Sequence, residues 1–121
     1  MMAVVDQRQD IVPTQFGNAD ASEYFSLKVV DDGMSPTILQ SDEIVFHRQQ
    51  TVDNGELAVI TIGDEKNAIL RRVYYGTDGT LLLTTDNTQV APMIFDSDEA
   101  RQVHIHGKVV YLVREITHNC F

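Results

Sequence analysis

Short runs of apolar and β-branched residues, separated by turn-forming residues, make up most of the chain after residue 23. The runs cover residues 24–30, 43–48, 57–62, 67–75, 80–85, 102–106 and 108–114. Asp53-Asn54-Gly55 and Asp78-Gly79 are among the turn formers between them. Because short strands at regular spacing with little helical periodicity are typical of all-β domains, the pattern predicts a mainly β fold.

Two segments depart from this strand pattern. Residues 35–39 predict one short helical turn, because Pro36 is tolerated in the first turn of a helix. Residues 1–22 show no sustained period, and we interpret them as a linker or N-terminal arm. The folded domain is therefore expected to span residues 23–121 as a compact, bent antiparallel sheet.

Composition and charge narrow the class of protein. The chain has 121 residues, which is the size of one domain. Its 9 Lys and Arg against 18 Asp and Glu give a net charge of -9, so direct binding to nucleic acid is disfavoured. No apolar run approaches the roughly 18 residues of a membrane span, and no secretory leader is evident. Cys120 is the only cysteine, and we expect a cytoplasmic protein without an internal disulfide.

One ordered series of short motifs resembles a known family. The residues 31–38 read Asp-Asp-Gly-Met-Ser-Pro-Thr-Ile, where the family has Gly-Asp-Ser-Met-x-Pro-Thr-Ile. Further matches follow in order at Asn54-Gly55-Glu56, Leu70-Arg71-Arg72-Val73, Asn87 with Pro92, and Gly107-Lys108-Val109-Val110. Together they resemble, over residues 24–116, the C-terminal domain of LexA-like repressors, lambda-type phage repressors and UmuD proteins. The resemblance implies a β-clip-like fold.

The family's chemistry depends on two side chains, and this sequence has neither. Members cleave their own chain with a Ser nucleophile that a neutral Lys activates. Gly33 stands at the Ser position and has no hydroxyl. Arg71 stands at the Lys position, and a guanidinium keeps its proton in proteins, so it cannot act as a general base. The resemblance therefore implies a peptidase-like fold without its catalytic dyad.

The resemblance also implies a groove beside these vestigial positions, lined by Asp32, Met34, Asp42 and Arg71. Arg71 is expected to pair with Asp32 or Asp42, since buried charges are usually paired. Alternatively, its guanidinium binds a carboxylate or the backbone carbonyls of a peptide in the groove.

A rival catalytic hypothesis uses Ser35 as the nucleophile and Lys66 as its base. In the simpler interpretation Ser35 caps the helical turn and Lys66 is a solvated charge at a hairpin tip. Because Pro36 and Thr37 fix the register of the motif, we favour the simpler interpretation.

Metal ligands can be drawn from two further groups. His104 and His106 lie near His118 and Cys120 in sequence, but their spacing matches no familiar zinc pattern. The acidic residues Asp96, Asp98 and Glu99 offer oxygen ligands, and a solvated acidic loop is the simpler interpretation. We predict no metal and no other cofactor.

These observations predict a non-catalytic C-terminal dimerisation and regulatory domain of a phage-type or SOS-type transcriptional repressor. Residues 109–113 form either a core strand or an edge strand, and the resemblance implies an edge-mediated homodimer. DNA is contacted only through a helix-turn-helix domain absent from this chain, and an antirepressor or inducer protein is the expected partner. The alternatives are an active Ser-Lys self-cleaving protease using Ser35, or a stand-alone UmuD-like protein-binding partner.

Overall fold

A computed structural model describes residues 3–4, 12–13 and 23–114. In this part of the chain there are nine strands and a short 3₁₀ helix, Glu99–Gln102. The strands are β1 (Ala3–Val4), β2 (Val12–Pro13), β3 (Tyr24–Lys28), β4 (Glu43–Arg48), β5 (Leu57–Ile62), β6 (Asn67–Tyr75), β7 (Leu81–Thr84), β8 (Met93–Phe95) and β9 (Val103–Val113). The predicted mainly β fold is confirmed.

The strands pair antiparallel in the order β2-β3-β4-β9-β5-β6-β7-β8, and β1 pairs with β6 off this path. Two pieces of the predicted arm thus add to the sheet: Ala3 lies opposite Ala68, and Val12 lies opposite Ser26. The order also places β9, close to the end of the chain, between β4 and β5.

The sequence predicts two runs separated by Gly107, but β9 is one continuous strand of 11 residues. Its register shifts against β4 between Val45 and Phe46, and against β5 between Val59 and Ile60. Such irregularities bend a strand. Gly107 is required there because a Cβ would collide with the His47 carbonyl oxygen and the Phe46 ring. A glycine that reads as a turn former in the sequence therefore allows a close approach of two strands.

The predicted helical turn over 35–39 is instead a turn that begins earlier, over residues 33–37. It is closed by the Ser35 N–H donating to the Asp32 carbonyl (3.2 Å) and the Ile38 N–H donating to the Met34 carbonyl (2.9 Å). Gly33 is the first residue of this turn, and residues 29–32 connect it to the end of β3.

Hydrophobic residues pack on both faces of the central strands. Side chains alternate along a strand, so β5 sends Val59 into one buried cluster and Ala58 with Ile60 into the other. β6 divides in the same way, with Leu70 in the first cluster and Val73 in the second. This two-sided burial fixes β6 firmly, and β6 carries Arg71. No helix in the described part of the chain is long and apolar enough to cross a membrane.

Candidate functional site: the contact between Gly33 and Arg71

Gly33 and Arg71 lie against each other. The turn after β3 carries Gly33, and β6 carries Arg71. A Cβ built on Gly33 would lie 2.7 Å from Cζ of Arg71 and 3.0 Å from its Nη2. The guanidinium therefore fills the space that any side chain at position 33, including a serine, would need. The two positions that the resemblance pairs are neighbours in space.

Arg71 is only 6% exposed, and its partner is Asp31. Nη1 of Arg71 donates to Oδ2 of Asp31 (2.7 Å) and to the Leu70 carbonyl (2.7 Å). The expected pairing of Arg71 with Asp32 or Asp42 is wrong. The Asp32 side chain is exposed, and Asp42 pairs with Arg114. The carboxylate that pairs with Arg71 therefore belongs to Asp31, the residue before Asp32.

The Asp31 carboxylate is held by more than the ion pair. Its Oδ1 accepts the Gly33 N–H (3.1 Å), and its Oδ2 accepts the Leu70 N–H (3.3 Å). Sequence reasoning missed Asp31 because an aspartate before a glycine reads as a solvated turn residue. The motif itself contained the signal, since Asp31 stands where the family has glycine. The site thus differs from the family pattern at three contacting positions.

Asp42 belongs to a second ion pair, away from Arg71. It is 4% exposed, and its two oxygens accept from Nε (2.8 Å) and Nη2 (2.6 Å) of Arg114. The hydrogen bonds from Arg114 lower the pKa of Asp42, and the Leu39 N–H adds to this effect although burial opposes it. Asp42 therefore ties the end of β9 to the turn before β4.

Of the four predicted groove residues, Arg71 borders a cleft. Met34 is a core residue at 1% exposure, so it does not line a groove. The cleft has a volume of about 310 Å³. It is lined by Ile62, Glu65, Asn67, Ile69, Arg71 and Met93.

The loop after β7 clamps the turn that carries Gly33. The Asn87 N–H donates to the Gly33 carbonyl (3.1 Å), and its Nδ2 donates to the Asp32 carbonyl (2.9 Å). Asp86 accepts from the Thr37 hydroxyl (2.6 Å) and from Nε and Nη2 of Arg72 (both 3.0 Å). The bonds from Arg72 lower the pKa of Asp86. Asn87 and Arg72, both within motifs of the resemblance, hold the turn in place.

Ser35 lies in the turn over residues 33–37, and Lys66 lies directly before β6. Ser35 is partly buried within the turn, whereas Lys66 is exposed beside the β5–β6 hairpin turn. Lys66 precedes Arg71 by five positions along the chain, which corresponds to about 16 Å of extended strand. The geometry thus gives no support to Lys66 as a base for Ser35.

The structure does not bring the predicted metal ligands together among the described residues. His106 Nε2 is 2.8 Å from the Thr61 hydroxyl oxygen, and His104 is exposed. Asp96 and Glu99 bind each other's backbone N–H groups, a capping arrangement before the 3₁₀ helix. His118 and Cys120 lie outside the described residues. Among the residues described, no three His, Cys, Asp or Glu side chains form a metal-binding group.

Comparison with known proteins agrees with the motif order. A family described as Peptidase S24-like matches residues 2–110. The LexA repressor of Pelotomaculum thermopropionicum is 33% identical over 116 residues, 95% of this chain and 53% of that protein. The LexA repressor of Pediococcus pentosaceus is 36% identical over 105 residues, 86% of this chain and 46% of the repressor. The chain spans about half the length of these curated relatives.

Proposed function

Because the chain belongs to the Peptidase S24-like family, we propose that it is the non-catalytic dimerisation and regulatory domain of a LexA-like repressor. The observation that carries the proposal is the packing of the Arg71 guanidinium on Gly33. The framework around the two positions is retained, while the groups needed for hydrolysis are replaced.

Acyl transfer by this family's route needs an oxygen nucleophile and a base that accepts its proton. Gly33 supplies no oxygen, and Arg71 supplies no base because a guanidinium stays protonated. Asp31 strengthens the block, since an acceptor 2.7 Å away stabilises the positive charge. Replacement of either member of the dyad stops the reaction, and here both are replaced.

The proposed homodimer uses the second half of β9. Pairing with β5 ends at Lys108, whereas pairing with β4 continues to Val113. Among the described residues, the later part of β9 is paired with β4, and Leu112 and Val113 are 41% and 48% exposed. An exposed apolar edge invites pairing with an identical strand across a two-fold axis. Among the described residues, β9 therefore has both neighbours only at Gly107 and Lys108, and its second half is paired with β4 alone.

In this proposal DNA is read by a separate, preceding domain. The net charge of -9 makes this domain a poor ligand for phosphates, and its LexA relatives are about twice as long as the part it matches. Dimerisation would join two DNA-reading heads and raise the effective concentration of the second. A protein acting on DNA in this way would work in the cytoplasm.

Release from DNA then requires another protein, because the domain does not cut itself. In this proposal the cleft beside Arg71 is the docking site for an antirepressor or inducer. β7 pairs with β6 only from Arg72 onwards, but the Leu70 N–H and carbonyl before it are bonded to Asp31 and Arg71, so docking would use the cleft and not pairing with β6.

Self-cleavage is tested directly by incubating the natural full-length protein at alkaline pH, where any lysine base is more readily neutral. Intact-mass spectrometry over several days should show no specific fragment for the wild type or for S35A. A specific cut in the wild type would overturn the non-catalytic proposal. If S35A abolished that cut, the Ser35 hypothesis would replace it.

A further inference from the structure

We propose that Asp31 is a third determinant of the lost hydrolytic centre, one that keeps a base at position 71 charged even after serine and lysine are restored. This inference rests on the proposed non-catalytic function and extends it from two positions to three. It predicts that G33S/R71K carries a protonated amine, and that changing Asp31 as well releases the proton.

The Asp31 carboxylate lies directly against the cation at position 71. Oδ2 of Asp31 lies 2.7 Å from Nη1 of Arg71, and the two side chains are only 10% and 7% exposed. At this distance and burial, water screens the attraction poorly. A cation at position 71 is therefore stabilised by an anion that solvent does not replace.

Asp31 is also held by contacts that do not depend on Arg71. Its two oxygens also accept the backbone N–H groups of Gly33 and Leu70, which belong to the clamped turn and to the central part of β6. Those donors are fixed by the fold. The carboxylate would consequently face a shorter lysine side chain at position 71 as it faces the arginine.

Two opposing effects set the pKa of a lysine introduced at position 71. Burial lowers the pKa of a lysine, which is how a neutral base is obtained, whereas a neighbouring carboxylate raises it. Glu65 lines the same cleft and acts in the same direction as Asp31. Arg72, the nearest other cation in sequence, is already paired with Asp86. Asp31 is the acidic group in direct contact, so its removal should have the largest effect.

The test is an NMR titration of the ¹³Cε signals of lysine in the full chain, with G33S/R71K compared with D31N/G33S/R71K. The chain's own lysines, Lys28, Lys66 and Lys108, serve as internal references. Asparagine keeps an acceptor for the backbone N–H groups, so this variant guards against loss of fold. The introduced amine should titrate about 1–3 pKa units lower when Asp31 is replaced, which is a tenfold or greater rise in its neutral fraction.

D32N/G33S/R71K is the matched control, because Asp32 is adjacent in sequence but its side chain is exposed. It should leave the titration of the introduced lysine unchanged. Equal titration midpoints with Asp31 and with asparagine would overturn the inference, as would an equal shift in the Asp32 control. Neither result concerns cutting by the wild type, so failure here is distinct from failure of the proposed function.

Discussion

At the scale of residues, the candidate site is built on the buried ion pair between Arg71 and Asp31. Two charges removed from water are tolerated only when they satisfy each other and further hydrogen-bond partners. The Asp31 carboxylate accepts three hydrogen bonds, from the Gly33 N–H, the Leu70 N–H and Nη1 of Arg71. Nε of Arg71 is a buried donor without a partner in the described structure. The pair therefore depends on both of its members.

Replacement of Asp31 should be costly for this reason. D31A leaves the Arg71 charge buried without its partner, and we expect the free energy of unfolding to fall by about 3–5 kcal/mol in urea denaturation. D32A removes an exposed neighbouring carboxylate and should change stability by no more than about 0.5 kcal/mol. Equal effects of the two variants would contradict the assigned pairing.

The residue scale also shows what the sequence could predict. The order of motifs correctly brings Gly33 beside Arg71, although the two positions are far apart along the chain. The choice of Arg71's partner was wrong because three aspartates near the turn are chemically equivalent in sequence. Only the turn's backbone path decides which of Asp31, Asp32 and Asp42 is buried beside β6.

At the scale of elements, strand bounds follow from the apolar pattern where strands are long. β4, β5 and β6 span the residues predicted, because each has an uninterrupted run of at least three buried residues that turns flank on both sides. β8 and the 3₁₀ helix are too short to produce a period. The continuity of β9 through Gly107 depends on contacts with two other strands, which local sequence does not record.

Gly107 supplies a prediction about this element. G107A places a methyl group against the His47 carbonyl and the Phe46 ring, so we expect a loss of about 1–3 kcal/mol or more in unfolding free energy. G76A is the comparison, since Gly76 is exposed and the nearest atom, Cβ of Thr80, lies 3.0 Å from the added carbon. A smaller loss in G107A than in G76A would argue against the close strand approach.

The tie between Asp42 and Arg114 should make the end of β9 sensitive to acid. Because Arg114 lowers the pKa of Asp42 in the folded state, its stabilisation is complete above the ordinary value of 3.8 and is lost as pH falls through the folded pKa. R114Q should therefore be less stable than the wild type at pH 6, and the difference should shrink below about pH 4.

Chemical denaturation between pH 3 and pH 7 measures this difference. R101Q is the control, because the Arg101–Asp98 pair is 3.7 Å apart and its side chains are 82% and 86% exposed. That variant should follow the wild type at every pH. A stability gap for R114Q that does not change with pH would show that Asp42 is not its source.

At the scale of the whole molecule, the end of β9 is one of the exposed apolar surfaces among the described residues, and the proposed dimer would cover it. V113K places a charge on that edge, and we expect at least a tenfold weaker dimer, about 1.4 kcal/mol, by analytical ultracentrifugation. I94K is the matched control, since Ile94 on β8 is 71% exposed and lies outside the proposed interface. Dissociation by I94K but not V113K would place the interface elsewhere.

The Arg71 guanidinium occupies the space that a side chain at position 33 would need. The most direct test measures, by urea denaturation, how much unfolding free energy G33A removes in two backgrounds, the wild type and D31N/R71A. In the wild type the added methyl group should cost about 1–3 kcal/mol, because the guanidinium must move. In D31N/R71A, where the guanidinium is absent and no buried acid is left unpaired, the cost should fall to about 0.5 kcal/mol or less. Equal costs in the two backgrounds would contradict the claim.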